Sequence, residues 1–320
     1  MASPAPDSLP RRADRIAGGL IGLLVGDALG VPYEFRPPEL IPAAHAIEFQ
    51  PPQGYARAHA SVPPGTYSDD GAQALCLLAS LLDRGALDPE DLGRRLLAWY
   101  DSGYLAVDGQ VFDVGIQTSR ALSALRQGTP ALEAGPAHES TNGNGSLMRV
   151  LPLALWHQGA DDELVADACA QSVVTHGHVR SQLCCALYCL WARRTLDESG
   201  DPWGSAVATL REILQDDPEG LADLEQSVRP DDRAEPTGRG YVVDSLHSAR
   251  WAVEAGDYTT AVKAAVALGH DTDTTAAVAG GIAGIRQGLS GIPTRWRDAL
   301  RGRELYQPLL DRLIEKVGGT

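Results

Sequence analysis

Two short stretches far apart in the chain place the tightest limit on its fold: Gly269-His270-Asp271-Thr272-Asp273-Thr274 and Ser68-Asp69-Asp70. Each puts carboxylates and hydroxyls directly before a run whose apolar residues have helical spacing. These are Val278, Ile282 and Ile285 in one case and Leu75, Leu78, Ala79 and Leu82 in the other. Ser, Thr and Asp at such places are ordinary helix N-caps, and negative charge suits the start of a helix dipole. A cap, however, needs only one side-chain oxygen. Asp69 beside Asp70, or Asp271 with Asp273, crowds like charges that repel unless something neutralises them. A hard divalent cation does so, and all-oxygen ligation points to Mg or Mn rather than Zn. If both clusters close on the same ion, the fold must bring two distant helix starts together.

Leu and Ala at helical period, with little Val/Ile alternation, predict an all-α class. The 320 residues contain no linker-like stretch, so one domain over 14–320 is expected behind a flexible, Pro-rich leader at 1–13. Ile16, Leu20, Leu23 and Leu24 form an apolar stripe on a helix that Asp14 should cap and Pro32 should stop. Gly18, Gly19, Gly22 and Gly26 interrupt that helix. Each Gly weakens a helix by up to about 1 kcal/mol, so their density implies a backbone or ligand in very close approach.

Residues 36–66 read as a long loop of the kind that serves as a lid or binding segment. Helices are expected over 71–84, 89–100 (opened by Asp88 and Pro89), 161–173, 241–254, 259–268 and 303–316, with one or two short ones within 196–240. Asn142, Gly143, Asn144 and Gly145 predict a tight turn with positive φ. Ser146 is then expected to open a helix whose free N–H groups can hold a phosphate. His176 and His178 sit at the mouth of a helix carrying Cys184, Cys185 and Cys189, where a structural role is the ordinary reading of a histidine. With Cys76 and Cys169 these make an odd set without a C-x-x-C pair, which predicts buried free thiols rather than a zinc site.

The formal net charge of -15 and pI of about 4.9 oppose capture of a nucleic-acid backbone. No uninterrupted apolar run approaches the roughly 18 residues of a membrane span, and the N-terminus lacks an apolar signal core. A cytoplasmic protein is expected, with no nucleic-acid or membrane partner and a monomer as the default.

Taken together, GLLVGDALGVPYEF, GTYSDDGAQALCLLASLL, VFDVGIQTSRAL, TNGNGSLMRVLPLAL, THGHVRSQ, GYVVDSLHSARWA and LGHDTDTTAAVAGGIAGIRQG resemble, in order, the motifs of the ADP-ribosylglycohydrolase family, which includes the dinitrogenase reductase-activating glycohydrolases. The resemblance implies an orthogonal all-α fold with two divalent cations, Mg or Mn, in a central cleft. It implies metal ligands at Ser68, Asp69, Asp70, Asp271, Asp273 and Thr274, of which Asp70 and Asp273 also enter the catalytic set. Glu34 matches the glutamate of a mobile flap near the metals, and Asp113 an aspartate that assists proton transfer. Gly143, Asn144, Gly145 and Ser146 match a pyrophosphate-binding loop and helix start, and His176 a histidine facing the ligand. The implied reaction removes ADP-ribose from a modified protein side chain, most readily arginine N-linked. Gly71 stands where a Thr often follows the Asp pair, and Ile116-Gln117 where Asn-Thr is frequent beside the leaving group. Serine-linked or ester-linked ADP-ribose, modified nucleic-acid ends, a non-catalytic ADP-ribose-binding relative, and two mere helix caps are the rival readings.

Overall fold

A computed structural model describes residues 11–233 and 235–317. Its axis is a pair of glycine-faced helices, α1 (Arg11–Gly30) and, late in the chain, α13 (Thr272–Gln287). Between them in sequence come α2 (Asp69–Arg84), α3 (Pro89–Ser102), α4 (Ile116–Arg126), α5 (Ala131–Ala134), α6 (Leu151–Trp156), α7 (Asp161–Val173), α8 (Val179–Leu196), α9 (Pro202–Ile213), α10 (Pro218–Asp223), α11 (Val242–Glu254) and α12 (Tyr258–Ala267). Then α14 (Thr294–Ala299) and α15 (Arg303–Val317) follow the axis. The class is all-α: among the described residues the one β-type feature is an isolated antiparallel bridge between Gly143 and Tyr241.

The glycines of α1 explain the axis. A Cβ at Gly18 would lie 2.3 Å from the Gly284 carbonyl oxygen, at Gly22 2.4 Å from that of Gly280, and at Gly26 2.1 Å from that of Ala276. Rising positions on α1 meet falling ones on α13, so the helices run antiparallel with their backbones in contact. Tyr258 and Tyr188 fasten the pair by donating their hydroxyls to the Gly22 and Val278 carbonyls, each at 2.8 Å. The consequence is positional: the C-terminal end of α1 lies against the N-terminal end of α13, where Thr272 Oγ1 donates to the Gly30 carbonyl at 2.8 Å. By length and composition Arg11–Tyr33 is apolar enough to cross a membrane, although glycines and charges interrupt its apolar run, and its apolar stretch is wholly buried in the fold.

Several boundaries differ from expectation. Helix α1 begins at Arg11, so residues 11–13 are helical rather than leader, while residues 1–10 lie outside the described ones. Asp14 is not its cap but accepts from the Ser290 amide and hydroxyl, both at 3.3 Å. Ser146 opens no helix: residues 145–149 are turns, and α6 starts at Leu151. The cysteines are free thiols, with Cys76, Cys184, Cys185 and Cys189 buried and Cys169 partly so.

Candidate active site

The ends of α1, α2 and α13 meet at a cluster of carboxylates. Asp27, near the end of α1, accepts from the Ser68 amide (2.8 Å) and the Gly71 amide (2.8 Å), which fixes the first turn of α2 against α1. Thr274 Oγ1 on α13 donates to Asp70 Oδ1 at 3.1 Å, so the two distant acidic stretches touch. Carboxylate oxygens of Asp27, Asp70 and Asp273 lie within 4.8 Å of one another, as do those of Glu34, Asp271 and Asp273. Asp273 belongs to both groups. All of these except Asp271, which is partly covered, are buried.

This cluster is electrostatically unfinished. Burial and mutual repulsion push the carboxyls of Asp69, Asp70 and Asp273 well above the usual range, and burial pushes Asp27 up to about 7. Asp273 Oδ2 is buried without a hydrogen-bond partner. A buried carboxylate oxygen without a donor is costly, and a hard cation is the group that an all-oxygen set of this kind fits. Ser68 serves as N-cap of α2, its Oγ accepting from the Asp70 amide at 3.4 Å, but Asp271, at the cap position of α13, makes no side-chain cap bond. Pure capping therefore accounts for one cluster's serine and not for the other cluster's aspartates. Gln73 Nε2 donates to Asp69 Oδ2 (3.2 Å) and takes a bond on its Oε1 from the fully buried guanidinium of Arg149 (3.1 Å).

Beside the cluster opens a cavity of about 280 Å³ whose walls include Glu34, Asp69, Asp113, Gln117, Gly143, Asn144, Gly145, His176, Asp271 and Thr274. Asn144 reaches from the loop to donate to Asp271 Oδ2 at 2.7 Å and to Ser245 Oγ at 2.9 Å. The loop's glycines are present for closeness, not for positive φ, which neither Gly143 nor Gly145 adopts. A Cβ at Gly143 would sit 2.3 Å from Gln117 Oε1, and one at Gly145 2.8 Å from His176 Cε1. The Gly143 amide donates to Gln117 Oε1 (3.0 Å) and the Asn144 amide to the Gly240 carbonyl (3.2 Å), so neither is a free phosphate donor. Ser146 turns inward, accepting from Ser172 Oγ at 2.8 Å, and does not line the cavity. His176 bonds Thr175 Oγ1 through Nδ1 (2.8 Å); burial and Arg149 push it down to about 3, so the ring is neutral.

On the other wall, Glu34 follows the 3-10 turn Val31–Tyr33 that ends α1 and is 3% exposed. Burial, Asp113 and Asp271 push its carboxyl up to about 11, while burial and Asp271 raise Asp113 to about 6. His59 Nε2 lies 2.6 Å from Glu34 Oε2. Asp27 and His59 escaped the sequence reading. An acid inside an otherwise apolar, buried helix was the available signal for Asp27; His59 lies in an aperiodic loop and carried none. At the departures from the family pattern, a side chain at Gly71 would meet Leu24 Cδ2 at 2.7 Å, and the Gly71 amide bonds Asp27. Ile116 is 74% exposed at the rim.

The all-helical scaffold thus gathers carboxylates from three helix ends beside a ligand-sized cleft. The ADP-ribosylglycohydrolase family profile matches residues 8–320, and the chain belongs to that family. It is 30% identical to the ADP-ribosylarginine hydrolase Tri1 of Pseudomonas putida (strain GB-1), over 95% of this chain and 79% of the relative. It is 28% identical to the ADP-ribosyl-[dinitrogen reductase] glycohydrolase of Rhodospirillum rubrum, over 91% and 92%. A solved ADP-ribosylglycohydrolase-related protein complex superposes with a TM-score of 0.75 at 33% identity, covering 96% of this chain and 99% of that one. The protein is an ADP-ribosylglycohydrolase-type enzyme.

Proposed function

We propose that the enzyme uses divalent cations to hydrolyse the N-glycosidic bond between ADP-ribose and an arginine side chain of a modified protein. The observation that carries this reading is the contact of Thr274 with Asp70, which joins the two acidic stretches at the wall of the cavity. The names of the Pseudomonas putida and Rhodospirillum rubrum relatives support an ADP-ribosylated protein as substrate, and the former supports arginine. The reading includes two Mg or Mn ions held by Ser68, Asp69, Asp70, Asp271, Asp273 and Thr274, with the carboxylates of Asp27 and Glu34 lying beside that set. When bound, such cations supply Lewis-acid polarisation and a lowered pKa for nearby water.

The chain's own groups do the rest. Cleavage passes through an oxocarbenium-like carbon, which the carboxylates of Asp69 and Asp271 on the cavity wall stabilise. Glu34 and Asp113 are carboxyls that burial and neighbouring acids push above the usual range in the metal-free chain, and their place on the cavity wall suits them to giving a proton to the departing nitrogen and taking one from water. Neutral His176 and the close-packed Gly143–Asn144–Gly145 turn shape the opposite wall, where the rest of the ligand lies. The net charge of -15 favours a protein over a nucleic-acid substrate, and a cytoplasmic monomer completes the proposal.

Release of ADP-ribose from arginine-linked, serine-linked and DNA-linked substrates, measured side by side with Mn, Mg or a chelator, tests it. Arginine-linked release that needs the metal is the expected result; equal release in excess chelator contradicts it.

A further inference from the structure

The long 36–66 loop, which carries no helical or strand period, brings one side chain against Glu34 of the cavity wall. Its Ala58 amide donates to the Pro32 carbonyl at 3.0 Å, tying the loop to the turn that ends α1. The next residue, His59, is seated between two aromatic rings, with centroids 5.7 Å from Phe35 and 5.1 Å from Phe112. These rings adjoin Glu34 and Asp113 in sequence, and His59, Glu34 and Asp113 present ligating atoms within 4.8 Å of one another. Imidazole Nε2 and Glu34 Oε2 are 2.6 Å apart.

The backbone here is strained at each joint. Phe35 (φ 59°), His59 (φ 45°), Asp113 (φ 54°) and His270 (φ 61°) all adopt the left-handed region, unusual for side chains of this size. Such strain persists only where the surroundings over-determine it, and it gathers at functional sites. Cross-bonds from the Phe35 amide to the His270 carbonyl and from the His270 amide to the Arg36 carbonyl, both 2.6 Å, fix the far side of Glu34. Tyr33, on its near side, is held by its hydroxyl to Glu48, donating to the carbonyl (2.8 Å) and accepting from the amide (3.0 Å). The Glu34 main chain is thus pinned on both flanks. Its carboxyl, by contrast, is buried among other acids and is joined to the loop by its bond to His59 Nε2.

We propose that His59 is a positioning residue: clamped between Phe35 and Phe112, its imidazole holds the Glu34 carboxyl in the cavity and so sets the geometry of the acid/base group. With the proton on Nε2 the ring donates to the carboxylate; with the proton on Glu34 the direction reverses and the link remains. The inference rests on the reading of Glu34 as an acid/base group only in its catalytic consequence, not in the structural one.

The test uses the Mn-loaded full chain. His59→Asn keeps a side chain tolerant of the left-handed backbone but too short to reach Glu34, whereas His59→Gln restores an amide donor at comparable reach. Crystal structures of the variants show the Glu34 carboxyl turned away from its native position in His59→Asn and returned to it in His59→Gln. On arginine-linked substrate, kcat falls about 100-fold in His59→Asn with KM little changed, as expected for a misplaced catalytic group. In Glu34→Gln the same His59 substitution adds little further loss, because the two act as a unit. An unmoved Glu34 carboxyl in His59→Asn overturns the proposal, and so does a loss that adds fully to that of Glu34→Gln. Full turnover in Glu34→Gln would instead remove the catalytic reading of Glu34, leaving the carboxyl's position in the His59 variants to decide whether His59 holds it.

Discussion

Along the α1–α13 pair, two adjoining regions follow opposite rules. From Gly18 to Gly26 the backbones touch, Gly or Ala stands opposite Gly18, Gly22 and Gly26 at the closest points, and the tyrosines from α8 and α12 satisfy the carbonyls they reach. One turn further, at Asp27 and Asp273, the same two helices present buried acids that repel one another, with Asp273 Oδ2 left without a donor. The first region is close packing optimised for stability. The second is a local cost that the first makes tolerable, as expected where activity needs a destabilised site.

Breaking the acid end should cost activity and spare the fold. Asp273→Asn removes an acid shared by both carboxylate groups; kcat on arginine-linked substrate should drop by about 10³-fold. The metal-free melting temperature, followed by circular dichroism, should be no lower than that of the native chain. The reverse holds at the glycine end. Gly18→Ala drives a Cβ to within 2.3 Å of a carbonyl oxygen, and denaturant melts should show a loss of about 3 kcal/mol. Turnover per folded molecule should be largely kept.

A pH series sharpens the contrast. Folded Asp27 and Asp113 are raised from 3.8 to about 7 and about 6, so the metal-free fold binds protons that the unfolded chain has released. Their contribution to stability is complete below the unfolded value and is lost as pH rises through about 6 to 7. Metal-free protein should therefore melt lower at pH 8 than at pH 5.5, and excess Mn should flatten or reverse the trend, which differential scanning calorimetry would record. The smallest effect belongs to the periphery. Burial acts against charged Asp91, but bonds from Arg95 (2.6 Å), Ser80 (2.8 Å) and Arg94 (2.9 Å) outweigh it and lower its pKa. Asp91→Asn should cost about 1 kcal/mol at neutral pH, and less in acid as the native carboxylate is itself protonated.

How much could be read in advance follows the same divide. Helix α7 over 161–173 and helix α15 to within a residue were legible because apolar periodicity and N-terminal acids are local signals. The density of glycine in α1 correctly announced a close neighbour, and the doubled aspartates announced a shared centre. Asp27 was hidden because its role depends on which helix start faces it. The 143–145 turn misled because Gly and Asn there signal positive φ, while the fold uses the missing Cβ to admit Gln117 and His176. His59 depends on a loop path that no period encodes.

The central claim, that acids near Asp70 and near Asp271 share their cations through Asp273, is tested most directly by titrating Mn into the native chain and Asp273→Asn in a calorimeter. The account predicts two Mn per native chain and the loss of both in the variant. Undiminished Mn binding by Asp273→Asn would contradict it.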